Sequence, residues 1–201
     1  AVGLGCKPED VHAANGSFAV AGRKPMRFTD LMRLAVEENR GALTHLSVYE
    51  PARAAITSFA AQVAEVEVDP GTGQVKVKKL TTVHDSGTVL NHLSYQGQID
   101  GGVVTGLGFA LMEDNSLIDG KMVTVNLGEF KMATIADVPK LTTVLMQDAT
   151  GPTPYQGKAI AEIPNVPTAA AIANAIQDAV GVRLYDLPLT SEKIYGGLHN
   201  R

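Results

Sequence analysis

The chain has 201 residues, of which 45% are hydrophobic and 19% charged, and its formal net charge is −4. This is enough for one large domain or two small ones, and the balance is that of a folded globular protein, which excludes the fibrous and disordered classes. Without a Lys/Arg run or basic stripe, nucleic acid and anionic membrane are poor partners, and no apolar stretch approaches the ~20 residues of a bilayer span.

The N-terminus lacks the charged-then-apolar pattern of a secretory signal, so a cytoplasmic location is expected. A start at Ala1, in a segment that already reads as folded protein, is expected of a fragment or a processed chain. The single cysteine, Cys6, can neither close an internal disulfide nor hold an iron–sulfur cluster, which takes about four thiolates. It is expected to be a small buried hydrophobe. With no HExxH, no CxxC and no clustered histidines, a zinc site built from side chains is not expected.

In chain order, Ser17–Val20 reads as a short strand. Thr29 is a plausible cap for a helix through Leu31, Leu34, Ala35 and Glu38, stopped by Gly41. Residues 52–57 show no strong periodicity. A hairpin follows: Ala64, Val66 and Val68 alternate with Glu65 and Glu67, then Asp69-Pro70-Gly71-Thr72-Gly73 turns the chain, and Val75 and Val77 alternate with Lys76 and Lys78. Glu65, Glu67, Lys76 and Lys78 share the wet face, where opposite charges can pair across the strands.

From Leu93 to Glu113 the glycines at 97, 101, 102, 106 and 108 would each cost about 1 kcal/mol relative to Ala inside a helix. Such a run implies either close approach of backbone to a ligand or tight packing between elements, and the pattern leaves both open. Residues 121–126 and 141–148 read as strands, and 151–157 as a Pro/Gly loop. Thr168 to Val180 is a long helix with an apolar stripe of Ala171, Ile172, Ala175, Ile176 and Ala179, stopped by Gly181. A last short helix from Thr190 to Tyr195 ends before Gly196-Gly197. The irregular mixture predicts an α+β fold with a mixed sheet and flanking helices.

Few residues stand out for chemistry. Glu162 lies between Ala161 and Ile163, where small or apolar neighbours would desolvate its carboxylate and make it a better base. It could equally be a surface acid, or one compensating the following helix N-terminus. In His84-Asp85-Ser86-Gly87, Asp85 is expected to bond backbone amides in a turn, and His84 to be a satisfied structural histidine. The Gln98 amide offers a donor and an acceptor. GxSxG, Walker A and dinucleotide fingerprints are absent, and GGVVTGLG lacks the βα context of a phosphate loop.

The order of the pieces carries more than any one of them. AAQVAEVEVDPGTGQVKVKKL, the Asp85-Ser86-Gly87 turn, GQIDGGVVTGLGFALME, GKAIAE, PNVPTAAAIANAIQDAVG and PLTSEKI occur in sequence. Together they resemble the molybdenum-cofactor-binding large subunit of the xanthine dehydrogenase/aldehyde oxidase family, including its GQxEGG…QGLGxAL segment and its GxKxVGE loop. The resemblance covers roughly residues 59–197. It implies a molybdopterin cofactor, bound by a C-terminal domain over residues 58–201, with 1–57 belonging to an incomplete preceding cofactor-binding region. It also implies oxidative hydroxylation of an N-heterocycle or aldehyde with water as oxygen source, Glu162 being the general base. Gln98, Gly97, Gly101, Gly157, Lys158 and Ala159 match cofactor-contacting positions, while protein side chains do not ligate the metal. An N-terminal cofactor-binding half, an iron–sulfur subunit and an FAD subunit are the implied partners. Ala161 stands where that family usually has glycine, and GPTPYQGKA replaces the usual GPxGAKG. These departures favour, as the alternative, a non-catalytic scaffold or assembly domain.

Overall fold

The computed structural model describes residues 6–38, 41, 42, 44, 46–50 and 57–199. The chain divides into two compact units, Ala1–Tyr49 and Glu50–Arg201. In the first, β1 (Val11–Ala14), β2 (Ser17–Val20) and β3 (Met26–Arg27) form an antiparallel sheet, followed by α1 (Phe28–Glu38). The strand expected at Ser17–Val20 is present. Thr29 lies inside α1 instead of capping it, and Arg27 pairs with Asp30 in the first turn at 2.8 Å. The Gly41 amide donates to the Val36 carbonyl, consistent with its expected role as a stop. Cys6 is half-buried, less enclosed than a core hydrophobe. Of the aperiodic stretch 52–57, residues 52–56 lie outside the described residues.

The second unit is built on the mixed sheet β4–β5–β8: β4 (Ala60–Val68) antiparallel to β5 (Val75–Asp85), and β5 parallel to β8 (Lys140–Met146). The hairpin forms as the alternation predicts, with one refinement. A bulge at Glu65/Val66 leaves Lys78 and Lys79 both on the wet face. The charge pairs are therefore Glu67–Lys78 and Glu65–Lys79, each at 3.0 Å, and Lys76 belongs to neither. In the turn, Gly73 has φ +72°, and a Cβ there would fall 2.1 Å from the Ser191 carbonyl oxygen, so only glycine lets the hairpin rest on the last helix.

The crossover from β5 to β8 runs through α2 (His92–Leu111), one helix that includes all five glycines of the Gly-rich run. Its low intrinsic propensity is offset by burial: Ile99, Val103, Leu107 and Ala110 join Leu80, Ile172, Ile176, Leu189 and Ile194 in the core. Each fully buried aliphatic side chain contributes about 1.5–3 kcal/mol. Gly108 leaves room for Glu113, whose carboxyl is raised by burial. The strand expected over 121–126 shrinks to β7 (Lys121–Met122), paired with β6 (Leu117–Ile118) and followed by the single turn α3 (Leu127–Phe130).

Helix α4 (Thr168–Val180) has the predicted bounds, and Gly181 ends it in the left-handed conformation with its amide on the Gln177 carbonyl. The last helix, α5 (Ser191–His199), starts as expected but continues through Gly196-Gly197; a Cβ at Gly197 would fall 2.6 Å from Val182 Cγ1, so glycine there lets the helix close onto Val182.

Candidate active site

The site begins where β5 ends. His84 is fully buried; its Nε2 lies 2.6 Å from the Thr82 hydroxyl, and its Nδ1 is buried without a partner among the described residues. Burial holds it below its ordinary value of 6.5. Half of its hydrogen-bonding capacity is thus satisfied, short of the fully satisfied histidine expected. Next, Ser86 bonds β8 through its amide on the Met146 carbonyl. Gly87, at φ +59°, forms an antiparallel bridge with Gly157, and a Cβ on it would fall 2.4 Å from the Gln156 carbonyl oxygen.

This strand end holds the 151–158 loop in place. The Thr88 amide donates to the Gln156 carbonyl at 2.9 Å, and the Lys158 amide donates to the Ser86 carbonyl at 3.0 Å. Within the loop, the Gly157 amide donates to Thr153 Oγ1 at 2.8 Å. The Lys158 side chain turns inward: its Nζ meets Asp85 Oδ2 at 2.6 Å, with only 8% and 17% of the two side chains exposed. Asp85 therefore pairs with a lysine 73 positions along the chain, where a bond to local backbone amides was expected. The Lys158 carbonyl accepts from the Tyr95 hydroxyl of α2 at 3.4 Å.

Helix α2 presents two kinds of glycine. A Cβ at Gly102 would sit 2.8 Å from Pro164 Cβ, and one at Gly106 would sit 2.6 Å from Thr168 Cβ. These two, spaced i, i+4, let the helix close onto the segment leading into α4. Gly97 and Gly101, also i, i+4, would meet nothing within 4 Å and are exposed, as is Gln98 between them. The packing interpretation of the Gly-rich run thus holds for Gly102 and Gly106, while Gly97 and Gly101 are left open.

Glu162 stands between two anchored points. Upstream, Lys158 is tied to β5; downstream, the turn Ile163–Asn165 is tied to β4, where Gln62 Nε2 donates to the Pro164 carbonyl at 2.7 Å. The buried Thr168 hydroxyl donates to the same carbonyl at 3.1 Å. Glu162 itself is exposed, so the desolvation expected from its small neighbours is not present within this chain. Nor does it compensate α4, from which the Ile163–Asn165 turn separates it. Ala159 and Ala161 are exposed beside it.

The chain brings Gly157, Lys158, Ala159 and Glu162 together on one loop, and Gly97, Gln98 and Gly101 on one open stripe; Tyr95 links the loop to the helix. The Asp85–Lys158 pair and the Gln62 anchor were not foreseen from sequence. One signal was available: Lys158 is the only charged residue between Asp148 and Glu162. Among the described residues, no group of three or more His, Cys, Asp or Glu side chains could hold a metal ion.

Residues 1–139 match the family model of the molybdopterin cofactor-binding domain, which reaches the Gly-rich helix but stops short of the Glu162 loop. The putative xanthine dehydrogenase molybdenum-binding subunit XdhA of Escherichia coli K12 is 37% identical over 145 residues, which is 71% of this chain and 19% of that protein. The aldehyde oxidoreductase molybdenum-binding subunit PaoC of the same organism is 30% identical over 197 residues, 95% of this chain and 26% of the relative. Quinoline 2-oxidoreductase from Pseudomonas putida 86 superimposes with a TM-score of 0.85 at 26% identity, covering 98% of this chain and 27% of that one. The chain thus spans about a fifth to a quarter of the length of these proteins.

Proposed function

The chain belongs to the molybdopterin cofactor-binding domain family, within the xanthine dehydrogenase/aldehyde oxidoreductase group, and from that premise we propose that it forms one wall of the active site of a molybdenum hydroxylase, with Glu162 as general base. The observation that carries this proposal is an exposed carboxylate, without a side-chain partner among the described residues, on a loop fixed at both ends to adjacent strands. An acid with no structural task, held so firmly, is suited to a reaction in which geometry matters.

The chemistry of these residues suits a molybdopterin. The exposed Gly97–Gly101 stripe lets a flat, anionic group approach the backbone closely, and the Gln98 amide can both donate to and accept from a pterin edge. Gly157, Lys158 and Ala159 form the loop proposed to lie against it. When bound, the molybdenum cofactor supplies two-electron redox chemistry. Glu162 accepts the proton that water gives up as its oxygen is transferred to a carbon of an N-heterocycle or aldehyde, giving the hydroxylated product. Because Glu162 is open in this chain, the enclosure that would raise its basicity belongs to the rest of the assembly: a preceding cofactor-binding half, with iron–sulfur and FAD subunits to carry electrons away. Among the described residues no helix is long and apolar enough to cross a membrane.

Glu162→Gln in the assembled enzyme is expected to lower turnover by about 10²–10⁴-fold, the usual contribution of a general base, with molybdenum and pterin content unchanged. Wild-type turnover in that variant would refute the role. Ala161 at the position next to the base favours a second reading, a scaffold that kept the fold without the chemistry. An intact complex lacking both molybdenum and pterin would establish it.

A further inference from the structure

We propose that the buried Lys158–Asp85 ion pair is a positioning device that fixes the Glu162 loop against the end of β5, a role that rests on Glu162 acting as the base. A buried ion pair is a poor source of stability in itself, since desolvating both charges offsets most of their attraction and an apolar pair of similar volume often does as well. What it supplies is direction and register. Lys158 and Asp85 meet at 2.6 Å with both side chains largely out of solvent, and Asp85 is the last residue of β5.

The location ties the pair to Glu162. The loop crosses from β5 to β4: Lys158 is fixed at Asp85, and Pro164 is fixed at Gln62, which pairs with Thr82 of β5. Only Ala159 to Ile163 lies between the anchors, and Glu162 is in that stretch. The downstream anchor is redundant, since Thr168 also holds the Pro164 carbonyl and Gly102 packs on the Pro164 ring. Upstream, the backbone bonds at Gly87, Thr88 and Ser86 set the strand-like pairing, and the ion pair is the one side-chain tie from Lys158 to the sheet among the described residues. If it is cut, the loop keeps its downstream hold and shifts at the end that leads into the base. Lys158 and Asp85 are therefore positioning residues, acting through Glu162.

Two measurements test this on Lys158→Met, Asp85→Asn and the conservative Lys158→Arg. In the assembled enzyme, amide hydrogen exchange at Thr88 and Lys158 should quicken about tenfold in the first two variants and much less in Lys158→Arg, while the β4–β5 hairpin and α4 keep their protection. In the assembled enzyme with normal molybdenum and pterin content, Lys158→Met should lower kcat about 10–100-fold, the range typical of supporting residues, with KM within about twofold. Made in a Glu162→Gln background, it should add no further loss, since the two act as one unit. A loss that multiplies with that of Glu162→Gln, or loss of protection spread across the whole sheet, would overturn the proposal. If Glu162→Gln alone retains wild-type turnover, the base assignment fails separately, and local exchange at the loop then decides whether the pair holds it.

Discussion

The two glycine stripes of α2 look alike in sequence and do opposite things. Gly102 and Gly106 are pressed onto Pro164 and Thr168, and Gly97 and Gly101, five residues earlier and so on another side of the helix, face open space. The first pair serves the fold, because glycine there admits a neighbour's backbone. The second pair is a liability to the fold as it stands: exposed glycine in a helix interior costs about 1 kcal/mol relative to alanine, and no packing against it among the described residues offsets that cost. Spacing cannot separate the two roles; what lies opposite each stripe does.

Substitution tests that contrast directly. The largest effect is expected at Gly106→Val, whose Cβ would fall 2.6 Å from Thr168 Cβ and 2.8 Å from the Asn165 carbonyl oxygen, with backbone unable to yield. Overpacking of this kind costs about 3 kcal/mol, which in a chain of this size lowers the thermal midpoint by roughly 6–12 °C. An unchanged midpoint would mean that the packed stripe is not packed. Gly97→Ala and Gly101→Ala should behave in the reverse sense. Each should raise the midpoint of this chain by roughly 2–4 °C through helix propensity, yet lower pterin retention in the assembled enzyme. Improved stability with full pterin content would remove the open stripe from the cofactor site.

The smallest effect sharpens the contrast from the sheet side. Buried His84 is held below 6.5 by desolvation, so the unfolded chain takes up its proton first. Stability should therefore fall as pH drops through 6.5 and level off below the folded-state value. The difference between urea midpoints at about pH 7.5 and pH 5 should narrow in His84→Gln. Equal differences in both proteins would show that this histidine is not proton-linked to folding.

Legibility followed the range of the interactions. The β4–β5 hairpin and the bounds of α4 could be read from sequence because alternation, turn residues and Gly181 are local signals. Helix α2 could not, because five glycines argue against it and only tertiary burial of Ile99, Val103 and Leu107 overrides them. The same holds for α5, where Gly196-Gly197 reads as a stop in sequence while Gly197 instead makes room for Val182. In the site, the order of motifs placed Glu162 on its loop, but the residues around it left open whether it was desolvated or a surface acid, and it is exposed. Small neighbours in sequence say little about what covers a side chain in space. Lys158 and Asp85 lie too far apart for any periodicity to join them.

The parallel pairing of β5 with β8 also bears on how the chain assembles. β5 and β8 are separated by α2 and the α3 region, so their ladder can form only after a long crossover has closed, and such non-local closure is slow. The Ser86 amide needs the end of β8, and Ser86 in turn receives the Lys158 amide. The loop bearing Glu162 therefore docks on a surface that does not exist until the crossover is complete, so a partly folded chain presents no premature imitation of the site.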